Sequence, residues 1–249
     1  MSMWRKKGHD GAAYKTAGEL GHSQFGTPLD QILNTRVRPP IGKWLMVPAN
    51  WGGYDKDAKQ WSQTTAPLVW GMWIERNPGA VHPGREAVAR TALELQTYAE
   101  KYGGFDPTQP VEIVTYLYVP DPNRHAFPLH LWVDDRPGLT VEQATTDAGA
   151  ISTPVAEEFS TDMLGVGRKV TCHGTLDPQP GDLPGTRSMW VSVYYAFAIP
   201  GRQAVVTVRA TDTDLGWMSA ASDDLDEFVR SVRLEIIGGK PFTLGPTQS

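Results

Sequence analysis

The sequence predicts an α+β fold, an antiparallel β-sheet flanked by helices, with an extended N-terminal arm. Three observations carry this. Runs of period-two alternation are joined by turns rich in Pro and Gly, the pattern of β-hairpins. Apolar residues switch to helical spacing near 85–102 and again near 222–232. Residues 1–40 are dominated by Gly, Lys, His, Ser and Gln and close on Arg38-Pro39-Pro40, a linker composition.

The expected domains are an arm or tail at 1–40, a globular α+β domain at 41–237 and a C-terminal tail at 238–249. Within the arm, Trp4, Tyr14 and Phe25 are candidate docking side chains. The first strand is expected at Trp44–Val47, ended by Pro48. A second is expected at Pro67–Ile74, which is rich in strand-favouring residues and followed by Asn77-Pro78-Gly79. A helix follows over 85–102, with Val88, Ala92, Leu95, Ala99 and Tyr102 on one face and a left-handed cap supplied by Gly103-Gly104. Val111–Val119 and Ala126–Val133 then alternate around the turn Pro120–Arg124 and form a hairpin. A short helix is expected at 141–150 with Thr140 as N-cap. Strands follow at 155–163, 166–172, 189–199 and 203–210, the last two joined at Pro200-Gly201-Arg202. Leu225, Phe228, Val229 and Val232 mark the final helix, with Ser222 as its N-cap and Asp223, Asp224 and Asp226 in its first turn. Leu234–Ile237 adds a short strand.

Three segments carry a likeness to a known family: Trp44-Leu45-Met46-Val47-Pro48-Ala49-Asn50-Trp51, the hairpin Val191–Gly201 with Ala204–Val208, and the terminal Phe228–Leu234. Over about residues 41–237 the chain resembles the PsbP-like α/β/α sandwich. The resemblance implies a binding or accessory module rather than an enzyme, and transfers no site residue. The chain departs from related bacterial proteins in showing no export signal or lipid-anchoring cysteine near its start, and in a longer, polar 50–66 stretch.

Composition narrows the function classes. The chain has 249 residues, 40% hydrophobic and 20% charged, an ordinary globular balance. A net charge of -5 without long single-sign blocks gives no footprint for nucleic acid or an anionic membrane. No apolar run reaches the length of a membrane span, and no signal peptide is evident, so the expected location is cytoplasmic. With one cysteine, Cys172, there is no internal disulfide.

Chemistry-bearing motifs are scarce. Gly165-Val166-Gly167-Arg168 lacks a third glycine and leads into a strand, so it reads as a turn and not a phosphate cradle. His82 and Glu86 have ligand spacing without a third ligand. Cys172 and His173 are adjacent on a strand and point to opposite faces, so Cys172 reads as a small core residue. Asp212 and Asp214 read as solvated loop carboxylates. No catalytic residue, metal site or cofactor is expected.

The nine tryptophans and their placement stand out. Val111, Ile113, Leu117 and Val119 read as one core stripe, Phe127, Leu129, Leu131 and Val133 as a second, and Met189, Val191, Val193, Tyr195, Phe197 and Ile199 as a third. The opposite face of the sheet is then expected to carry Tyr116, Tyr118, His130, Trp132, Trp190 and Tyr194, a mixture favoured in interface cores. The alternative is that helices or the arm cover this face. The expected function is a non-catalytic protein-binding or assembly module with a protein partner of unknown identity. A structural component of a larger particle or secretion assembly, and a small hydrolase with an unrecognised site, are the alternatives.

Overall fold

The computed structural model describes residues 33–40, 42–49, 57–104, 113–176, 188–199, 201–236 and 240–241. Most of the expected arm, including Trp4, Tyr14 and Phe25, lies outside them, as do Asn50, Trp51, Val111, Glu112, Pro200 and nearly all of the expected C-terminal tail.

Seven strands form one antiparallel sheet in the order β2-β3-β4-β8-β7-β6-β5. They are β2 (Trp44–Met46), β3 (Val114–Tyr118), β4 (Phe127–Asp134), β5 (Val155–Thr161), β6 (Gly165–Thr175), β7 (Met189–Ala198) and β8 (Val205–Asp212). Both hairpins expected from alternation lie in this sheet, joined through β4 and β8. A second, three-stranded sheet pairs β9 (Val232–Ile236) with β1 (Leu33–Val37) on one side and β10 (Lys240–Pro241) on the other. The end of the expected arm is therefore strand, with Val37 opposite Val232.

Residues 67–74 are not a strand. They lie inside α1 (Ala58–Arg76), a helix of 19 residues capped by Asp57, which accepts from Gln60 N at 2.8 Å. An apolar run of eight residues does not by itself distinguish strand from helix. The longer spacing does: Ser62, Ala66, Val69 and Trp70 form one buried stripe. Pro67 is exposed, so the backbone bond it removes is lost on the solvent side. α2 (Arg85–Tyr102) has the expected bounds and buries Thr91, Leu95 and Ala99. Trp70 Nε1 donates to Thr91 Oγ1 at 3.1 Å and ties the two helices. The left-handed residue after α2 is Gly104, with φ 86°, whereas Gly103 stays extended.

α3 (Val141–Ala144) is shorter than expected, held by a capping box between Thr140 and Gln143. The expected C-terminal helix is preceded by α4 (Leu215–Ala220), which runs into α5 (Ser222–Arg230). Ala221 therefore occupies the cap position expected for Ser222.

The layers follow from the register. Tyr116 stands opposite Leu129, Leu131 opposite Val208, and Val208 opposite Tyr195, so these share one sheet face. That face packs under Trp217, Met218, Leu225, Phe228 and Val229 of α4 and α5, continued by Val232 and Leu234 of β9. On the other face, Leu117 and Val119 pack under Ala66, Val69, Leu95 and Ala99 of α1 and α2. Farther along that face Val170, Cys172, Trp190 and Tyr194 form a smaller cluster with Ala150.

Candidate functional site

The six residues expected to share an aromatic face are divided between two faces. Tyr116 and Tyr118 belong to the α4/α5 face, 7% and 3% exposed, within the main core. His130, Trp132, Trp190 and Tyr194 belong to the opposite face, of which Trp190 and Tyr194 are buried and His130 and Trp132 half-buried. The correction is one of register. Even-numbered residues of β3 stand opposite odd-numbered residues of β4, so Tyr116 and Tyr118 face with Leu129 and Phe127 and not with His130. Ile113, expected in the core, is 40% exposed.

Three buried tyrosine hydroxyls, those of Tyr118, Tyr194 and Tyr195, are each tied to an acid and a cation. Tyr118 donates to Asp224, which also holds Lys43 Nζ. Tyr195 donates to Asp226 at 2.6 Å, and Lys169 Nζ donates to the same oxygen at 2.9 Å. Tyr194 donates to Asp147 at 2.6 Å, and Arg209 Nη2 reaches the same oxygen at 3.2 Å. Burial first, and the neighbouring carboxylate second, push all three phenol pKa values up, so the hydroxyls stay protonated donors. Two of these ties clamp α5 to the sheet. The third clamps the loop after α3.

Asp212 and Asp214 are not free loop carboxylates. Asp212 is buried and lies 2.7 Å from His125 Nε2, and Asp214 caps α4 through Trp217 N at 2.8 Å. Arg124 stacks on Trp217, 3.8 Å from the ring centroid, while Trp217 Nε1 donates to His125 O. The cluster fixes α4 to the β3–β4 turn. Cys172 is 1% exposed on the face shared with Val170, and His82 is exposed before α2 begins. Among the described residues, no three His, Cys, Asp or Glu side chains gather into a metal-binding group. No described helix is long and apolar enough to cross a membrane.

One exposed feature of the described residues is the margin of the main sheet at β5. Among the described residues this strand pairs only with β6, from Val155 opposite Thr171 to Thr161 opposite Gly165. No described residue hydrogen-bonds to its outer backbone edge. The other margin, β2, has only three residues. Phe159 anchors β5, edge-on to Tyr195 at 5.0 Å and 7% exposed. Val155, Ala156, Glu157 and Glu158 are all exposed, Val155 at 68%. Ile151 and Val166, at 63% and 65%, flank the strand. A strand edge of this length offers alternating donors and acceptors to an extended chain.

Neither family models, characterised proteins nor solved structures match this chain.

Proposed function

We propose that this protein is a non-catalytic protein-binding module that recruits its partner by strand addition along β5. The observation that carries the reading is the seven-residue edge strand whose first four residues are exposed on both faces while Phe159 holds it in the core. Main-chain hydrogen bonds along a free edge supply affinity, and side chains alternating on its two faces supply choice of partner. The resemblance to PsbP-like sandwiches, which implies a binding or accessory module, points the same way.

Proline substitution tests this, because neighbouring residues of an edge strand point their N–H groups alternately inward and outward. Of Ala156→Pro and Glu157→Pro, one removes a bond to β6 and lowers the melting temperature. The other silences only an outward donor and leaves melting unchanged. The outward variant is expected to lose the partners that the tagged wild-type protein captures. If it melts normally and captures every one of them, the β5 edge is not the binding site.

A further inference from the structure

The chemistry of β5 says what kind of strand the edge takes. Two adjacent glutamates place one carboxylate on each face of the sheet margin, Glu157 on the α5 side and Glu158 on the other. On the inner side the fold sets a basic pair opposite the two glutamates, of which one makes an ion pair. Lys169 stands opposite Glu157, with Nζ 3.5 Å from its carboxylate, and Arg168 stands opposite Glu158. Both cations are committed elsewhere as well. Lys169 is buried against Asp226 at 2.9 Å, and Arg168 reaches Glu142 at 3.6 Å. Glu158 has no ion pair among the described residues, and the side chain of Glu157 remains 61% exposed. Asp162, just beyond the strand, is exposed too. The outer margin is therefore an acidic ladder with no second neighbour among the described residues.

Resting on the strand-addition reading above, we infer that the β5 edge accepts an extended antiparallel segment of another protein carrying two adjacent basic residues. The basic pair would lie opposite Glu158 and Glu157, one on each face, repeating outside β5 the register of Arg168-Lys169 inside it. Opposite-charge residues directly across a ladder stabilise it, and like charges there destabilise it. The same rule disfavours a second copy of this chain. Two-fold pairing centred on either glutamate sets that carboxylate against itself. Centring on Phe159 avoids this but leaves a ladder of only the residues from Glu157 to Thr161.

The chain's own β6 segment supplies the probe. Fluorescein-labelled Gly-Val-Gly-Arg-Lys-Val-Thr, the sequence of residues 165–171, is titrated with the full-length protein and followed by anisotropy. Controls are the same peptide with Glu-Glu in place of Arg-Lys and an N-methylated Arg-Lys peptide. Wild type is expected to bind the Arg-Lys peptide roughly tenfold more tightly than the Glu-Glu peptide, and E157K/E158K to reverse that order. Both substituted side chains are exposed, and circular dichroism is used to check that the variant, which sets lysines opposite Lys169 and Arg168, is folded. The N-methylated peptide should lose binding in either protein. If wild type binds both peptides alike through their backbones, strand addition stands and the basic specificity falls. If no peptide binds at about 1 mM, a weak limit for an association, both readings fall. A wild-type dimer in sedimentation velocity that excess Arg-Lys peptide does not dissolve makes a second copy the occupant and overturns the inference.

Discussion

His130 should make this fold sensitive to mild acid. Its Nδ1 lies 3.0 Å from Thr115 Oγ1, and the Tyr102 ring stands edge-on at 4.9 Å. Burial first, then the charges of Arg209 and Lys101, hold its pKa down to about 4. In the unfolded chain the imidazole titrates near 6.5. Between these values the unfolded state binds more protons, so stability falls as pH drops from 6.5 towards 4. Above that window the contribution is fully present, and below it the contribution is gone. At about 1.4 kcal/mol per pH unit, the span from 6.5 to about 4 is worth up to about 3 kcal/mol. The figure is an upper one, since the ring is only half-buried. Urea unfolding of wild type and His130→Gln, followed by tryptophan fluorescence at pH 7, 6, 5 and 4, isolates this contribution because other groups titrate alike in both proteins. Wild type should lose up to about 3 kcal/mol more than the variant across the window. If the two proteins lose stability in parallel, the imidazole is not held neutral by its surroundings.

Two glycines should respond to alanine with opposite signs. At Gly174 a Cβ would sit 2.1 Å from the Trp190 ring and 2.6 Å from Gly149 O, so Gly174→Ala should cost about 2 kcal/mol or more in thermal unfolding. At Gly71 a Cβ meets nothing within 4 Å on the exposed side of α1, so Gly71→Ala should stabilise by about 1 kcal/mol, and a loss there would contradict the helix. Cys172 has its Sγ 3.8 Å from Ser192 O, and burial raises its thiol pKa, so a thiol reagent should label it slowly in the native protein and quickly after denaturation. Rapid native labelling would remove Cys172 from the core.

Local periodicity made much of the fold legible. The spacing of Val88, Ala92, Leu95 and Ala99 located α2, and alternation located the strands of both hairpins. Where it misled, a competing cause can be named. In α1 the β-branched and aromatic residues between Leu68 and Ile74 outweighed the spacing of Ser62, Ala66, Val69 and Trp70, which extends beyond that window. Asp57 and its bond to Gln60 N were the available start signal. α4 was hidden because its cap, Asp214, read as part of an acidic loop.

The candidate sites were harder to read for a different reason. Alternation tells which residues of one strand share a face, but only the register joins faces between strands. The described residues of β3 and β4 were each sorted to the right face of their own strand, yet the strands' pairing, Tyr116 with Leu129, exchanged the faces and sent the tyrosines into the core. Strand order is equally non-local, so nothing in the β5 segment alone announces a sheet margin. Its charges do point there. Two adjacent ionised residues in a strand put charge on both faces, which a central strand covered on both sides could accommodate only at a large desolvation cost. β3 and β7 carry no ionisable Asp, Glu, Lys or Arg, and β4 and β8 carry no two in succession. Adjacent charges occur in the main sheet only at Arg168-Lys169 of β6 and Glu157-Glu158 of β5, the two outermost strands on that side. The same pairs stand opposite each other across that margin, where Lys169 reaches Glu157 while Glu158 has no ion pair among the described residues.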